Sequence, residues 1–597
     1  MQIISHKNTT LTICQRFFIE KSIELLYAGS IDSYRIKLNN PKIVLEELKY
    51  CLIEYNKGRI KHFHTIKGSK KDTKVIVDEA LTLLNSSPTY LKFDTISQEY
   101  LKISLEQLTE FNYKKVITSI EILLNNNKDY FINVVNGLEQ LIKNNDSSFN
   151  GLCEIDNSLN FLLSELINKG YSKGFLYKLM YGIFVNSLDN NSAFKTHFKN
   201  FKARITPSKS KHNVIFRIDT TKKVYEAISA ITIQSILLTD NIDNIILNGF
   251  AKKELKAFNT KASNRKFIHY EVDALDYLSA LIIARKNLSE YLDVINLGLS
   301  DEFLQIHNRV LVIDQRSPKR GAFQNNMNSL DGKYLVEQDH YVTFTKKIPV
   351  ILNNDKIADE TKEKIKSAVR YLRLGNQSTE VEHKFINYWI GLEYLFSNYE
   401  SNGTIERLKT HFIDAHSLAY VKRNVHSFKK SFSQLSTAHK SLVPTYTIAD
   451  NEYLKDIQFY TDVSTHLIND FPLLAYRAMK LEYWFFKSGK SASAKKYLER
   501  HKENLQIHFT RIYRLRNEII HDAATNTNNE LIASNLRYYL TFILNEVIDF
   551  LSKTQVSNKI AIEDYFILNE IKIGNIEQKG SMLIELLEVD CAIDFIS

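Results

Sequence analysis

A long stretch without proline lies in the N-terminal part of the chain. No proline occurs between Pro88 and Pro207, so no pyrrolidine ring there interrupts a helix. Apolar residues recur at helical spacing in VLEELKYCLIEYN (44–56) and GFLYKLMYGIFVNSL (174–188), a pattern typical of helices that bury one face. We therefore expect a helical N-terminal region over residues 1–205. The chain has 597 residues, which is too long for one ordinary core and predicts roughly two to four domains.

The segment from about 190 to 218 contains no acidic residue. It combines lysine and arginine with three phenylalanines, Phe194, Phe198 and Phe201. Basic and aromatic side chains together suit single-stranded nucleic acid. The same pattern also fits an amphipathic helix with its phenylalanines in the core. We favour the helix.

The middle of the chain, residues 212–350, has a different pattern. Val214, Phe216 and Ile218 alternate with polar neighbours, as in a half-buried strand. The runs KFIHYEV, YLDVINLG, RVLVID and HYVTFT indicate further strands, and DALDYLSALIIARKNL indicates a helix. These patterns predict a mixed α/β domain. Pro349 and the polar residues after it mark its expected end.

The segment RIYRLRNEIIHDA (511–523) carries the residues best suited to chemistry. The guanidinium of Arg516 can hold a phosphate through two parallel hydrogen bonds. The imidazole of His521 titrates near neutrality and can take or give the proton of a ribose hydroxyl. Asn517 lies between them. Such a motif also fits a surface helix whose histidine packs at its end.

Two flanking segments extend this pattern. VRYLRLGNQSTEVEHKFINYWIGLEYLFSN (369–398) precedes the motif, and NNELIASNLRYYLTFILNEVIDFLSK (528–553) follows it. With Trp389, Leu392 and Glu393 in the first segment, and Arg516-Asn517 leading into His521, this arrangement resembles the HEPN superfamily. Within that superfamily it is similar to the ApeA-like HEPN domains of bacterial antiphage systems. The resemblance covers about residues 360–555, and it departs from some family toxins by having Ala523 where they have tyrosine.

The resemblance implies a helical bundle that dimerises so that two motifs face one cleft. In that arrangement His521 of one copy is the general base, and His521 of the other is the general acid. Arg516 stabilises the charge on the transition state, and Asn517 orients the phosphate or the histidine. The expected activity is a metal-independent endoribonuclease that leaves 2′,3′-cyclic phosphate ends. The resemblance further implies an abortive-infection toxin of antiphage defence, with tRNA among its RNA substrates and a phage-derived trigger.

Glu393 lies on an otherwise apolar helical stripe with Ile386, Trp389 and Ile390. A carboxylate on such a face requires a partner, because burying it unpaired costs several kcal/mol. Arg516 is an attractive partner, which would make Glu393 a supporting residue of the site. A salt bridge that only holds the bundle together is the other interpretation, and we favour it.

The expected HEPN-like nuclease domain spans 355–555, with an insertion at about 400–470 and a C-terminal extension at 556–597. Within the insertion, the run from 416 to 440 has no acid. Its basic residues Lys422, Arg423, Lys429 and Lys430 suit phosphate contacts with RNA. A solvated basic surface explains them equally well.

Composition limits the remaining possibilities. The formal net charge of +10 permits nucleic-acid binding without requiring it. The four cysteines are far apart in the sequence, which disfavours a disulfide framework or a zinc module. No signal peptide and no long apolar window are visible. We expect a mainly α protein of the cytoplasm, with no cofactor, metal ion or membrane contact.

A second function remains open from the sequence. Some HEPN domains bind RNA or nucleotides, or only dimerise, without catalysis. The complete Arg516, Asn517 and His521 set favours the enzyme over such a binding protein.

Overall fold

A computed structural model gives the structure of the protein. It describes residues 3–27, 39–60, 65–66, 69–70, 72–206, 208–230, 236–299, 304–326, 330, 338–397, 403–447, 451–487, 490–522, 529–553, 559–579 and 583–588. Helices dominate these residues, which confirms the prediction of a mainly α protein.

The N-terminal region is a helical assembly around one core. Several of its helices begin at capping residues: Thr12 and Gln15 form a reciprocal capping box at α1, and Asn40 caps α2, which satisfies backbone N–H groups that lack helical partners. Phe198 and Phe201 are buried beside Phe18, so the prediction of core phenylalanines is confirmed. The elements are α1 (Ile13–Leu26), α2 (Pro41–Asn56), β1 (Thr65–Ile66), β2 (Ser69–Lys70), α3 (Asp72–Leu84), α4 (Thr95–Glu106), α5 (Tyr113–Asn126), α6 (Tyr130–Asn144), α7 (Phe149–Asn168), α8 (Lys173–Met180) and α9 (Phe194–Ile205).

The middle region contains an antiparallel sheet with the strand order β4-β5-β3-β6-β7. Val214, Phe216 and Ile218 of β3 face α12, while Ile215 contacts a second apolar cluster on the other face. The strand is therefore covered on both sides rather than half-buried. The elements are β3 (Ser210–Thr220), α10 (Lys222–Ala230), β4 (Ile236–Thr239), α11 (Ala251–Phe258), β5 (Arg265–Ala274), α12 (Tyr277–Leu299), β6 (Leu304–Asp314) and β7 (Gly321–Gln324).

Two of the predicted strands are helical. KFIHYEV and RVLVID lie in β5 and β6, as expected, but YLDVINLG lies in α12 and HYVTFT lies in α13. Short apolar runs with β-branched residues fit either structure, and here each run belongs to a longer helix. Helix α13 (Gln338–Leu352) also continues through Pro349, where the domain boundary was expected. Ile351, near the end of this helix, is buried in the C-terminal core.

The C-terminal part is built from long helices. Helices α14, α15, α21 and α22 share one apolar core with residues of α13, α17 and α23. The elements are α13 (Gln338–Leu352), α14 (Asp359–Gln377), α15 (Val381–Phe396), α16 (Thr404–Arg407), α17 (Ile413–Ser433), α18 (Thr437–Lys440), α19 (Ile457–His466), α20 (Pro472–Glu482), α21 (Lys490–Asp522), α22 (Asn529–Lys553) and α23 (Ile562–Lys579).

The segment expected to be an insertion, 400–470, contributes to two cores. Phe412 and Ile413 at the start of α17 pack in the first core. Val421, Val425 and Phe428 further along α17 pack in a second core, which also includes residues of α19, α20 and α23. Helix α17 thus joins the two cores.

Helices α14 and α15 approach closely at Gly375. A Cβ atom at this position would lie 2.3 Å from Cε1 of Tyr388, a buried ring. We expect Gly375→Ala to destabilise the protein by about 1–3 kcal/mol through overpacking. Gly574→Ala in α23 is the matched control, because a Cβ there meets nothing within 4 Å, and alanine should stabilise that helix by roughly 0.5–1 kcal/mol. Thermal unfolding of both variants checks the difference, and equal effects would contradict it.

Candidate active site

The motif lies in the last turns of α21 (Lys490–Asp522), a helix of 33 residues. Leu505, Phe509 and Ile512 form a buried stripe that faces the bundle core. Arg516 continues this stripe at helical spacing. The guanidinium group is therefore placed at the edge of the apolar core and not on the open surface.

Arg516 and Asn517 are in direct contact. Nη1 of Arg516 donates a hydrogen bond to Oδ1 of Asn517 at 3.1 Å. The Nε atom of Arg516 is buried and makes no hydrogen bond to a described residue. A buried donor without an acceptor is costly for a structure to keep, so this atom is a candidate contact for an anion.

The backbone of His521 belongs to the last turn of α21, but its side chain lies outside the described residues. In an ideal helix, positions 516 and 521 are about 140° apart, whereas positions 514 and 521 are only about 20° apart. The register of α21 therefore places position 521 on the side of Arg514, away from Arg516.

Glu393 has a different partner from the one considered in the sequence. Nε1 of Trp389 donates a hydrogen bond to Oε2 of Glu393 at 2.9 Å, within α15. The Trp389 ring also lies 6.1 Å from the ring of Tyr513 on α21. Glu393 therefore anchors an aromatic contact between α15 and the motif helix, and the structure does not pair it with Arg516.

Two arginines beside the motif, which sequence analysis did not select, bind the N-terminal region. Arg511 donates from Nε and Nη2 to Glu47 at 3.0 and 2.5 Å, and from Nη2 to Glu79 at 2.5 Å. Arg514 also binds Glu47 and donates to Sγ of Cys51. Helices α2 and α3 are thus held against one side of α21.

The basic residues proposed to contact RNA lie on α17 and are not equivalent. Arg423 is only 3% exposed and donates to the hydroxyl of Tyr538. An RNA contact by Arg423 is therefore contradicted, because its guanidinium points into the core. Lys429 donates to Asn451 at 2.7 Å, and Lys430 is exposed at the end of the helix, while Lys422 is half-buried. The acid-free sequence did not reveal which side of α17 faces inward.

His508 lies two turns before Arg516 on α21. It is buried, and its Nδ1 contacts the hydroxyl of Tyr539 at 2.7 Å. Burial, reinforced by the charge of Arg511, lowers the pKa of His508 to about 3. His508 is thus a neutral core histidine and not a proton donor near neutral pH.

This lowered pKa predicts a pH dependence of stability. The unfolded chain binds a proton at His508 below pH 6.5, whereas the folded chain does so only near pH 3. As the pH decreases from 6.5 to 3, the free energy of unfolding should therefore decrease, by up to about 1.4 kcal/mol per pH unit for this group. Denaturant unfolding from pH 7 to pH 4 should show a smaller slope in His508→Gln than in the wild type. An unchanged slope would contradict the assignment.

Comparison with protein-family models, curated proteins and solved structures gives no match to this chain. Within the described residues, every helix is too short or too polar to cross a lipid bilayer. The same residues contain no group of three or more His, Cys, Asp or Glu side chains arranged to hold a metal ion. The chemistry of the motif residues and their contacts must therefore support any functional proposal.

Proposed function

We propose that this protein is a metal-independent endoribonuclease of the HEPN type. The observation that carries the proposal is the pair formed by Arg516 and Asn517 at the end of α21, with the buried Nε of Arg516 lacking an acceptor among the described residues. A phosphate diester supplies an anionic acceptor for such a donor. His521, one turn beyond Asn517, supplies an imidazole, a side chain of the type that most often acts as general acid or base.

The mechanism follows from these residue types. His521 of one copy removes the proton of the ribose 2′-hydroxyl, which attacks the adjacent phosphorus. His521 of a second copy protonates the leaving 5′-oxygen. Arg516 stabilises the additional negative charge on the phosphate oxygens. The hydrogen bond from Arg516 to Asn517 supports a role for Asn517 in orienting the guanidinium group.

A dimer is part of the proposal, because one histidine cannot be both base and acid in the same step. Ile520 lies one turn beyond Arg516 on the same side of α21, and 47% of it is exposed. A second copy of the bundle would bury this apolar side chain next to the motif. The proposed role of the enzyme is to cleave cellular RNA, tRNA included, in response to phage infection.

The N-terminal region is proposed to restrain the nuclease. Its residues Glu47 and Glu79 bind α21 within five residues of Arg516. These contacts cover the side of α21 to which the register assigns position 521. A second motif can reach that side only after α2 and α3 move away, so a trigger that displaces them would activate the enzyme.

The direct test is cleavage of total RNA, with EDTA present, by the purified wild-type protein and by Glu47→Gln, in which the proposed restraint is weakened. We expect fragments with 2′,3′-cyclic phosphate and 5′-hydroxyl ends, and no cleavage of single-stranded DNA of the same sequence, which lacks the attacking hydroxyl. The assay is repeated on RNA from phage-infected cells that express the protein. Cleavage that requires a divalent metal, or equal cleavage of DNA, would overturn the mechanism. RNA binding without cleavage in both settings would favour the non-catalytic alternative.

A further inference from the structure

A cavity of about 460 Å³ lies between the N-terminal helices and the C-terminal helices, away from the Arg516 motif. Its walls come from α1, α7, α17, α20, α21 and α22. This volume is within the range of small-molecule sites, which commonly form where two structural regions meet. Along α21, its nearest lining residue, Leu505, is about 16 Å from Arg516, so the cavity is separate from the proposed active site.

One wall of the cavity is a stack of aromatic rings. The rings of Tyr420 and His501 are nearly parallel, with centroids 3.8 Å apart, and Tyr497 continues the stack at 5.9 Å from Tyr420. Trp484 contacts the edge of this stack, 4.8 Å from Tyr497. Aromatic rings attract one another in offset-stacked or edge-to-face geometry. The wall therefore suits a planar aromatic group.

Another side of the cavity carries a network of ion pairs. Lys21 binds Asp156 at 3.5 Å and Glu24 at 3.2 Å, Lys480 binds Asp156 at 3.0 Å, and Arg477 binds Glu24 at 2.5 Å. Three cationic side chains and two carboxylates thus form one largely buried network of ion pairs on this side.

Arg500 places a positive charge where the cavity opens to solvent. It is exposed and has no hydrogen bond or ion pair to a described residue. Asn504, one turn along α21, also lines the cavity. A guanidinium group in this position can bind a phosphate or carboxylate through paired hydrogen bonds.

We propose that this cavity binds a small aromatic anion, a molecule of about the size of a nucleoside monophosphate. Its ring lies against the wall formed by Tyr420, Tyr497 and Trp484, and its anionic group lies near Arg500. A nucleotide and an aromatic carboxylate share this chemistry, and the experiment distinguishes them. Binding here does not depend on nuclease activity, so it stands or falls separately from the proposed function.

Tryptophan fluorescence and calorimetry test the proposal on the full-length protein. The chain has only two tryptophans, and Trp484 lines the cavity while Trp389 is buried in the bundle. The probes are AMP, UMP, indole-3-acetate, adenosine and ribose 5-phosphate. We expect AMP, UMP or indole-3-acetate to bind roughly tenfold or more tightly than adenosine or ribose 5-phosphate, which each carry one of the two features. AMP or UMP as the tightest probe assigns a nucleotide, and indole-3-acetate assigns an aromatic carboxylate.

Two variants locate the binding. Arg500→Ala should weaken binding of the anionic probes roughly tenfold, equivalent to about 1.4 kcal/mol, and leave adenosine nearly unaffected. Arg373→Ala, an exposed arginine on α14, is the matched control and should change nothing. Trp484→Phe should remove the change in tryptophan fluorescence that the ligand causes, while calorimetry should still detect the heat of binding. Absence of binding by every probe up to about 1 mM, the weak end of specific affinity, or binding that neither variant alters, would overturn the proposal.

Discussion

Replacing His521 with alanine is expected to lower the rate of RNA cleavage by about 10²- to 10⁴-fold, the usual contribution of a general acid or base. Arg516→Ala should lower it by about 10²- to 10³-fold, because it removes a donor to the charged transition state. Cleavage of a labelled RNA oligonucleotide with EDTA present measures both effects. His383→Ala is the matched control, since that histidine lies on α15 with its side chain 68% exposed, and it should retain full activity.

The dimer mechanism also predicts that the His521→Ala variant inhibits the wild-type protein. If base and acid come from two copies, a mixed dimer with one His521 lacks one of the two groups and is inactive. An excess of His521→Ala protein, co-expressed with wild type, should therefore suppress wild-type cleavage. Wild-type activity that only scales with the amount of wild-type chain, in dimers shown to be mixed, would contradict shared catalysis between copies.

Local patterns in the sequence predicted local structure well where one face of an element carried the signal. The spacing of Phe198 and Phe201 identified core positions of α9, and the alternation in β3 identified a strand. The pattern failed where a short apolar run lay within a longer element, as in HYVTFT of α13. A periodicity over six residues cannot show whether the helix around it continues.

The electrostatic partners could not be predicted from the sequence, since they depend on chain segments that meet only in the fold. Arg511 and Glu47 are more than 460 positions apart and form bonds at 2.5 to 3.0 Å. Arg423 belongs to an acid-free run, yet its guanidinium group lies in the core and donates a hydrogen bond to the hydroxyl of Tyr538 on α22. Composition indicates that charge is present, but only packing determines whether that charge faces solvent or a buried partner.

Replacing Glu47 with glutamine is expected to destabilise the contact between the N-terminal helices and α21 by about 3–5 kcal/mol. Glu47 neutralises two largely buried arginines, Arg511 and Arg514, and removing one member of a buried ion cluster leaves the others uncompensated. Hydrogen exchange of α2 and the midpoint of thermal unfolding measure the loss. Glu46→Gln is the matched control, because Glu46 is 40% exposed and its ion pair with Lys42 spans 3.8 Å. This substitution should lower the free energy of unfolding by only about 0–1 kcal/mol.

The pH dependence of the Glu47 variant separates the ion cluster from simple packing. Burial alone raises the pKa of Glu47, but the charges of Arg511 and Arg514 outweigh it and lower the pKa to about 2. The stabilisation is therefore complete above the ordinary pKa of 4.5 and is lost as the pH falls towards 2. Wild type and Glu47→Gln should differ most at pH 7 and converge near pH 2 to 3. A difference independent of pH would indicate lost packing instead.

Because the same contacts cover the side of α21 assigned to position 521, the variant should also cleave RNA faster than wild type, despite its lower stability.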